Sequence, residues 1–158
     1  MELLDILSSS RIALKQVREL VSEMKFIPLD KEIEQVRTIL TQAGLETTVE
    51  VVEKPPLLSS VEETMLSLSV REAVTNVIKH SEATHCLIRL TMENDAFTIR
   101  IADNGIGLGH VAIGNGMQSM KERMQALLGT AAVQNGEAGG TVVSLRLPLS
   151  HHERGAIK

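Results

Sequence analysis

The stretch "FTIRIADNGIGLG", residues 97 to 109, ends an alternating run in an acid, an amide and three glycines. Phe97, Ile99 and Ile101 alternate with Thr98, Arg100 and Ala102, the period-two pattern of a strand with one buried face. Glycine carries no side chain and permits positive φ, so backbone amides after Asp103 can approach a ligand closely, and a carboxylate at a strand end can accept hydrogen bonds from it. Asp-Asn-Gly is also good turn chemistry, so the stretch alone leaves open whether Asp103 closes a turn or floors a pocket.

Working outward, "THCLIRLT" (84–91) alternates as well, and Asn94-Asp95 between the two runs reads as a hairpin turn. Before them, Ser60 and Glu63 read as a capping box opening a long helix that runs to about His80. Earlier still, "TTVEVVE" (47–53) reads as a strand closed by Pro55 and Pro56. "LDKEIEQVRTILTQAG" (29–44) reads as a helix with Asp30 as N-cap and Gly44 as its stop. After the glycines come a helix over "GMQSMKERMQALLG", ended by Gly129, and a second hairpin, "TAAVQN" and "TVVSLRLPL". Helices on one face of a mixed, largely antiparallel sheet make an α+β two-layer sandwich. A Rossmann unit is disfavoured, because its glycine fingerprint sits in a parallel βαβ repeat and the strands here are hairpin-linked.

Ahead of this unit, Leu3, Leu7, Ser10, Leu14, Val17, Val21 and Met24 are spaced four and three alternately, which predicts an N-terminal helix with a seam for a partner helix. A single amphipathic helix packed on its own domain has the same pattern. Composition narrows the function classes. With two Phe and no Trp or Tyr the chain offers no platform for stacking single-stranded bases. A net charge of -4 without a basic block argues against nucleic acid and anionic membrane surfaces as main partners. A lone cysteine, Cys86, excludes an intramolecular disulfide and fits the cytoplasm. The absence of a span-length apolar run predicts a soluble domain.

On the long helix Glu72, Asn76 and either Lys79 or His80 fall along one stripe, with Val70, Val74, Val77 and Ile78 roughly opposite. An amide oxygen suits Mg²⁺ and a lysine suits phosphate, although an exposed face with an i,i+4 pair has the same composition. Gly114 and Gly116 introduce the next helix, whose start would present free N–H groups and a positive dipole end to phosphates. Each motif is weak alone, and their order is far more specific.

In that order the motifs resemble a known family. "REAVTNVIKHSEA" (71–83), "DNGIGLG" (103–109) and "GNGMQSMKERM" (114–124) are similar to the N, G1 and G2 boxes of the ATP-binding domain of sensor histidine kinases. "ALKQVRELVSEMKF" (13–26) is similar to the end of the second dimerisation helix in kinases that partner NarL/LuxR-type response regulators, DesK-like thermosensor kinases being the nearest likeness. The resemblance implies a Bergerat (GHKL) fold and a division into residues 1–28 (dimerisation helix and linker), 29–150 (ATP-binding catalytic domain) and 151–158 (polar tail). ATP and Mg²⁺ are the implied cofactors. Asn76 would hold Mg²⁺, Lys79 and His80 would lie near the phosphates, and Asp103 would accept from the adenine amino group. Gly105 and Gly107 would let backbone close on the nucleotide, Gly114, Gly116 and Met117 would form the far edge of its pocket, and Thr141 would lie near the adenine. Glu72 matches the residue that activates water in the family's ATPases. In a kinase a Mg²⁺-side or positioning role suits it better.

Only His110 to Ile113 separate Gly109 from Gly114, so the lid over the phosphates is short, and no F box is present. None of His80, His85, His110, His151 and His152 lies in a helix like the one that carries the family's phosphoacceptor. The acceptor is therefore expected outside this chain, on the dimerisation helices of a membrane-anchored homodimer that passes the phosphoryl group to a response regulator. Two other functions share these motifs: a nucleotide-gated, non-catalytic interaction module and an anti-sigma-factor-like serine kinase. The stalk-like "ALKQVRELVSEMKF" favours the histidine kinase over the latter.

Overall fold

The computed structural model describes residues 26–107 and 115–149 of the 158. In chain order these form α1 (Leu29–Gln42), β1 (Glu46–Val51), α2 (Ser60–His80), β2 (His85–Glu93), β3 (Ala96–Asp103), α3 (Asn115–Ala126), β4 (Thr130–Asn135) and β5 (Thr141–Pro148). The strands make one sheet in the order β1-β2-β3-β5-β4, with β1 parallel to β2 and every other pair antiparallel. The three helices pack on one face of it. The expected α+β two-layer sandwich with a mixed, largely antiparallel sheet is observed. The heptad seam over residues 3–24 and the 151–158 tail lie outside the described residues.

The core is aliphatic and thioether, as the scarcity of aromatics requires. Phe97, Ile99 and Ile101 of β3 and Ile88 and Leu90 of β2 meet Leu66, Val70, Val74 and Val77 of α2, Met117, Met120 and Met124 of α3, and Val36 and Leu40 of α1. Unbranched Met side chains adapt to an irregular helix–sheet gap, which suits α3. Period two along β3 carries Asp103 onto the same helix-covered face as Phe97, Ile99 and Ile101. The acid at the strand end is therefore buried by register, opposite Cys86 of β2.

Several local expectations shift. The capping box of α2 is Ser59 with Glu62, one residue earlier than Ser60 with Glu63: Ser59 Oγ accepts from the Glu62 N–H at 3.1 Å and Glu62 Oε1 from the Ser59 N–H at 2.8 Å. Both pairs satisfy the spacing, and a tertiary contact chooses between them. Glu63 Oε1 instead accepts from the Leu29 N–H at 2.8 Å, so it caps α1 from a distance. That explains why Asp30 is not the α1 N-cap. Pro28 holds that position without a side-chain hydrogen bond, and Asp30 sits in the first turn, where an acid favours the helix dipole.

The first strand covers Glu46–Val51 rather than 47–53. Ile78, expected on the apolar side of α2, is exposed, because a 3.6-residue period carries it off the stripe of Val70, Val74 and Val77. At the end of α3 the left-handed residue is Leu128 (φ 62°), whose conformation lets the Gly129 N–H close on the Met124 carbonyl at 2.7 Å. Asn94 and Asp95 both have positive φ, the conformation of a two-residue hairpin turn. Between α1 and α2, Arg71 forks onto the buried Glu32, with Nε 3.3 Å from Oε2. Thr64 Oγ1 accepts from the Ile27 N–H, and Ser67 Oγ donates to the Ile27 carbonyl.

Candidate nucleotide-binding site

The site grows from the C-terminal end of β3. The Asp103 side chain folds back so that Oδ1 accepts from the Gly105 N–H at 2.8 Å, and the Thr141 amide at the start of β5 also donates to the carboxylate. The residue is only 8% exposed. Burial raises its pKa above the ordinary carboxylate range, with the two amides opposing the shift. The carboxylate thus has two amide donors and retains lone pairs for a ligand donor.

Glycine is required around it by close approach. A Cβ on Gly105 would stand 2.0 Å from the Ser81 carbonyl oxygen, which also accepts from the Ile106 N–H at 2.8 Å. A Cβ on Gly140 would stand 1.8 Å from the Asp103 carbonyl oxygen, and Gly140 has φ 76°. The 103–107 loop is therefore clamped between the end of α2 and the β4–β5 turn. Its backbone conformation is set by contacts from both sides.

Asn104, to which the sequence assigned no role, fastens the loop from below. Its Oδ1 accepts from the Thr84 and His85 N–H groups, each at 2.9 Å, and its Nδ2 donates to Thr84 Oγ1 at 2.9 Å. The His85 ring continues the network, with Nδ1 2.7 Å from Thr84 Oγ1 and Nε2 2.9 Å from Glu46 Oε2. Ser81 was missed too, because its contribution is a main-chain carbonyl, invisible to residue-type reasoning. The propensity of Asn for local backbone bonding was the only available signal for Asn104.

Along α2 the polar stripe lies as expected. Glu72 and Asn76 are half-buried and Lys79 and His80 exposed; Glu72 lies about two and a half turns before Ser81, Asn76 about one and a half, and Lys79 and His80 within one turn of it and the clamped loop. The tip of Glu72 rests on α3: a Cβ on Gly116 would stand 1.8 Å from Glu72 Oε1. Met117 is buried with Met120 and Met124 in the core, so it supports α3 from beneath. Gly107 takes φ 76° beside Asn135 and the Gly140 carbonyl. Gly114 lies outside the described residues. The groove between α1 and β1, lined by Leu29, Ile33, Val49 and Leu57 among others, contains none of these residues.

The geometry thus brings Asp103, Gly105, Gly107 and Thr141 to one clamped strand end, next to the polar face of α2 and the start of α3. Residues 61–151, more than half of the chain, match the family described as histidine kinase-, DNA gyrase B- and HSP90-like ATPases. The chain belongs to that family. Curated relatives of this ATPase domain include the sensor histidine kinase YvfT of Bacillus subtilis, 40% identical over 143 residues, covering 90% of this chain and 38% of the relative. They also include the sensor histidine kinase DesK of the same organism, 31% identical over 150 residues, covering 93% and 40%. The chain thus spans about two fifths of their length. Among solved structures, the histidine kinase domain of the Erythrobacter litoralis EL346 blue-light activated kinase superposes with TM-score 0.65 at 18% identity, over 90% of this chain and 72% of that one, and so shares the fold. The expectation of an ATP-binding domain of the sensor histidine kinase kind is borne out, and the likeness to DesK with it.

Among the described residues no group of three or more His, Cys, Asp or Glu could hold a metal ion. A cation bound through phosphates does not need one: Mg²⁺ in nucleotide sites takes one or two protein oxygens and completes its shell with phosphate and water. The Asn76 amide, half-buried on α2 and without a hydrogen bond to another described side chain, fits that requirement. No described helix is long and apolar enough to cross a membrane.

Proposed function

We propose that this domain binds Mg·ATP and presents its γ-phosphoryl group to a histidine on the dimerisation helices of the same kinase, for onward transfer to an aspartate of a response regulator. The observation that carries the reading is the buried Asp103 carboxylate, held by the Gly105 and Thr141 amides at a strand end whose glycines are packed against Ser81 and the β4–β5 turn. An acceptor so placed suits the exocyclic amino group of adenine and opposes guanine, which carries a carbonyl oxygen there. Thr141 borders the same ring, and Gly105 and Gly107 admit it between main-chain segments. Lys79 and His80 lie near the phosphates, Asn76 supplies an oxygen to Mg²⁺, and the segment through Gly114, Gly116 and Met117 closes the far edge. Magnesium, when bound, neutralises phosphate charge. The domain's own contribution is to hold the nucleotide in line for the incoming imidazole.

The division into a dimerisation-helix portion (1–28), a catalytic domain (29–150) and a tail (151–158) belongs to the same proposal, as do a cytoplasmic location beside a membrane anchor elsewhere in a homodimeric protein and a partner of the NarL/LuxR type. The four-residue interval between Gly109 and Gly114 and the likeness to DesK support that placement. The test is calorimetric titration of the chain with ATP and GTP, each with and without Mg²⁺, followed by phosphotransfer to a separately supplied pair of dimerisation helices. Adenine-selective, Mg²⁺-dependent binding with transfer to histidine is expected. Binding without transfer would favour a nucleotide-gated interaction module, and an absence of binding at millimolar ATP would overturn the site.

A further inference from the structure

Glu72 occupies the place in the α2 stripe where an ATPase would keep a free carboxylate for water, but its tip lies against the start of α3. The ideal Cβ position on Gly116 lies 1.8 Å from Glu72 Oε1, 2.7 Å from Cδ and 3.2 Å from Cγ. The whole end of the side chain therefore rests on the second residue of α3, and a Cβ there would have to push the carboxylate aside. Gly116 needs no unusual backbone, since its φ is not positive. Close approach of the Glu72 tip is what a side chain there would disturb. The first turn of a helix carries unpaired N–H groups and the positive end of the dipole, so a carboxylate seated on it is attracted rather than merely tolerated.

We infer that Glu72 is a positioning residue: it pins the start of α3, and with it the far edge of the nucleotide pocket, to the helix that carries Asn76, Lys79 and His80. This rests on the nucleotide reading of the site and assigns Glu72 neither to Mg²⁺ nor to activation of water. One turn separates Glu72 from Asn76 on α2, so the pin sets the spacing between the phosphate-facing stripe and the α3 edge. The pairing also accounts for a glycine in the first turn of α3, where alanine would cost less backbone entropy.

The pairing predicts a reversal of sign that no independent role would give. In the unsubstituted background Gly116→Ala must push the tip of Glu72 off the start of α3, and so lowers the melting midpoint of the nucleotide-free chain. In a Glu72→Ala background the same Gly116→Ala substitution raises the midpoint, because the clash is gone and helix propensity remains. Calorimetry supplies the second readout. Glu72→Ala weakens ATP and ADP about tenfold, by the same factor with and without Mg²⁺, and adding Gly116→Ala to it causes no further loss. Additive melting shifts, or an affinity loss confined to Mg²⁺-containing buffer, would overturn the inference. If the unsubstituted chain binds no nucleotide, the assignment of the site fails, and the sign of the melting shift still decides whether Glu72 and Gly116 are paired.

Discussion

Asp103 serves the fold and the ligand at once, and two substitutions separate the roles. Asp103→Ala removes the acceptor of two amides, those of Gly105 at 2.8 Å and of Thr141. Each buried amide left without a partner costs about 1–3 kcal/mol. Part of that loss is returned, because the carboxylate is itself held at a desolvation cost, so a net destabilisation of about 1–3 kcal/mol is expected. Asp103→Asn keeps one oxygen for the Gly105 N–H and sets a donor in place of the other, so it should fold better than the alanine variant, with a loss of about 1 kcal/mol. Toward adenine the two variants should be equally poor. A hydrogen bond to a charged acceptor contributes about 1.5–3 kcal/mol, which corresponds to roughly 10- to 150-fold weaker ATP binding. Thermal melting of the nucleotide-free chain and calorimetric titration with ATP read the two effects separately. Asp103→Asn that melts near the parent and binds ATP with undiminished affinity would refute the placement of adenine on this carboxylate.

The pKa shift of Asp103 adds a pH dependence of definite sign. A carboxylate whose folded pKa lies above its unfolded value binds more protons when folded, so its contribution to stability is greatest below the unfolded pKa and falls as pH rises toward the folded value. ATP binding should run the opposite way, weakening as pH falls, from a higher pH than an ordinary carboxylate would give; calorimetry across that range, with Asp103→Asn as the insensitive control, checks it. Gly105→Ala drives a methyl group to 2.0 Å from the Ser81 carbonyl, a main-chain atom that cannot swing away, and should abolish nucleotide binding while lowering the melting midpoint. Cys86 is buried, and desolvation first and the facing Asp103 second push its thiol up to about 12, so iodoacetamide at pH 8 should label it only in denaturant; labelling of the native chain would contradict that burial. Arg71→Ala strands the buried Glu32 carboxylate and should cost about 2 kcal/mol by denaturant unfolding, below the range for fully buried pairs because Arg71 is half exposed.

Much of the fold was legible because local patterns and tertiary demands agreed. The alternation of β2 and β3, the Asn94-Asp95 turn and the apolar stripe of α2 each follow from the same core face. Where two local solutions were equivalent, legibility failed. Ser59-Glu62 and Ser60-Glu63 have the same spacing, and the choice between them depends on the Leu29 amide, 34 residues away, which takes Glu63. Ile78 lies at the margin of its stripe, where a small angular difference decides exposure.

By itself the sequence determined the order of the elements, the buried face of β3 formed by Phe97, Ile99 and Ile101, and the residue types able to meet a nucleotide, since periodicity and glycine chemistry are local properties. The tertiary structure alone decided that Ser81 and Gly140 clamp the 103–107 loop, that Asn104 ties it to β2, and that the Glu72 carboxylate rests on Gly116. These contacts join segments as many as 44 residues apart, from Glu72 to Gly116, through main-chain carbonyls and the absence of a Cβ. No local pattern records such distances, because they exist only once the helices have packed onto the sheet.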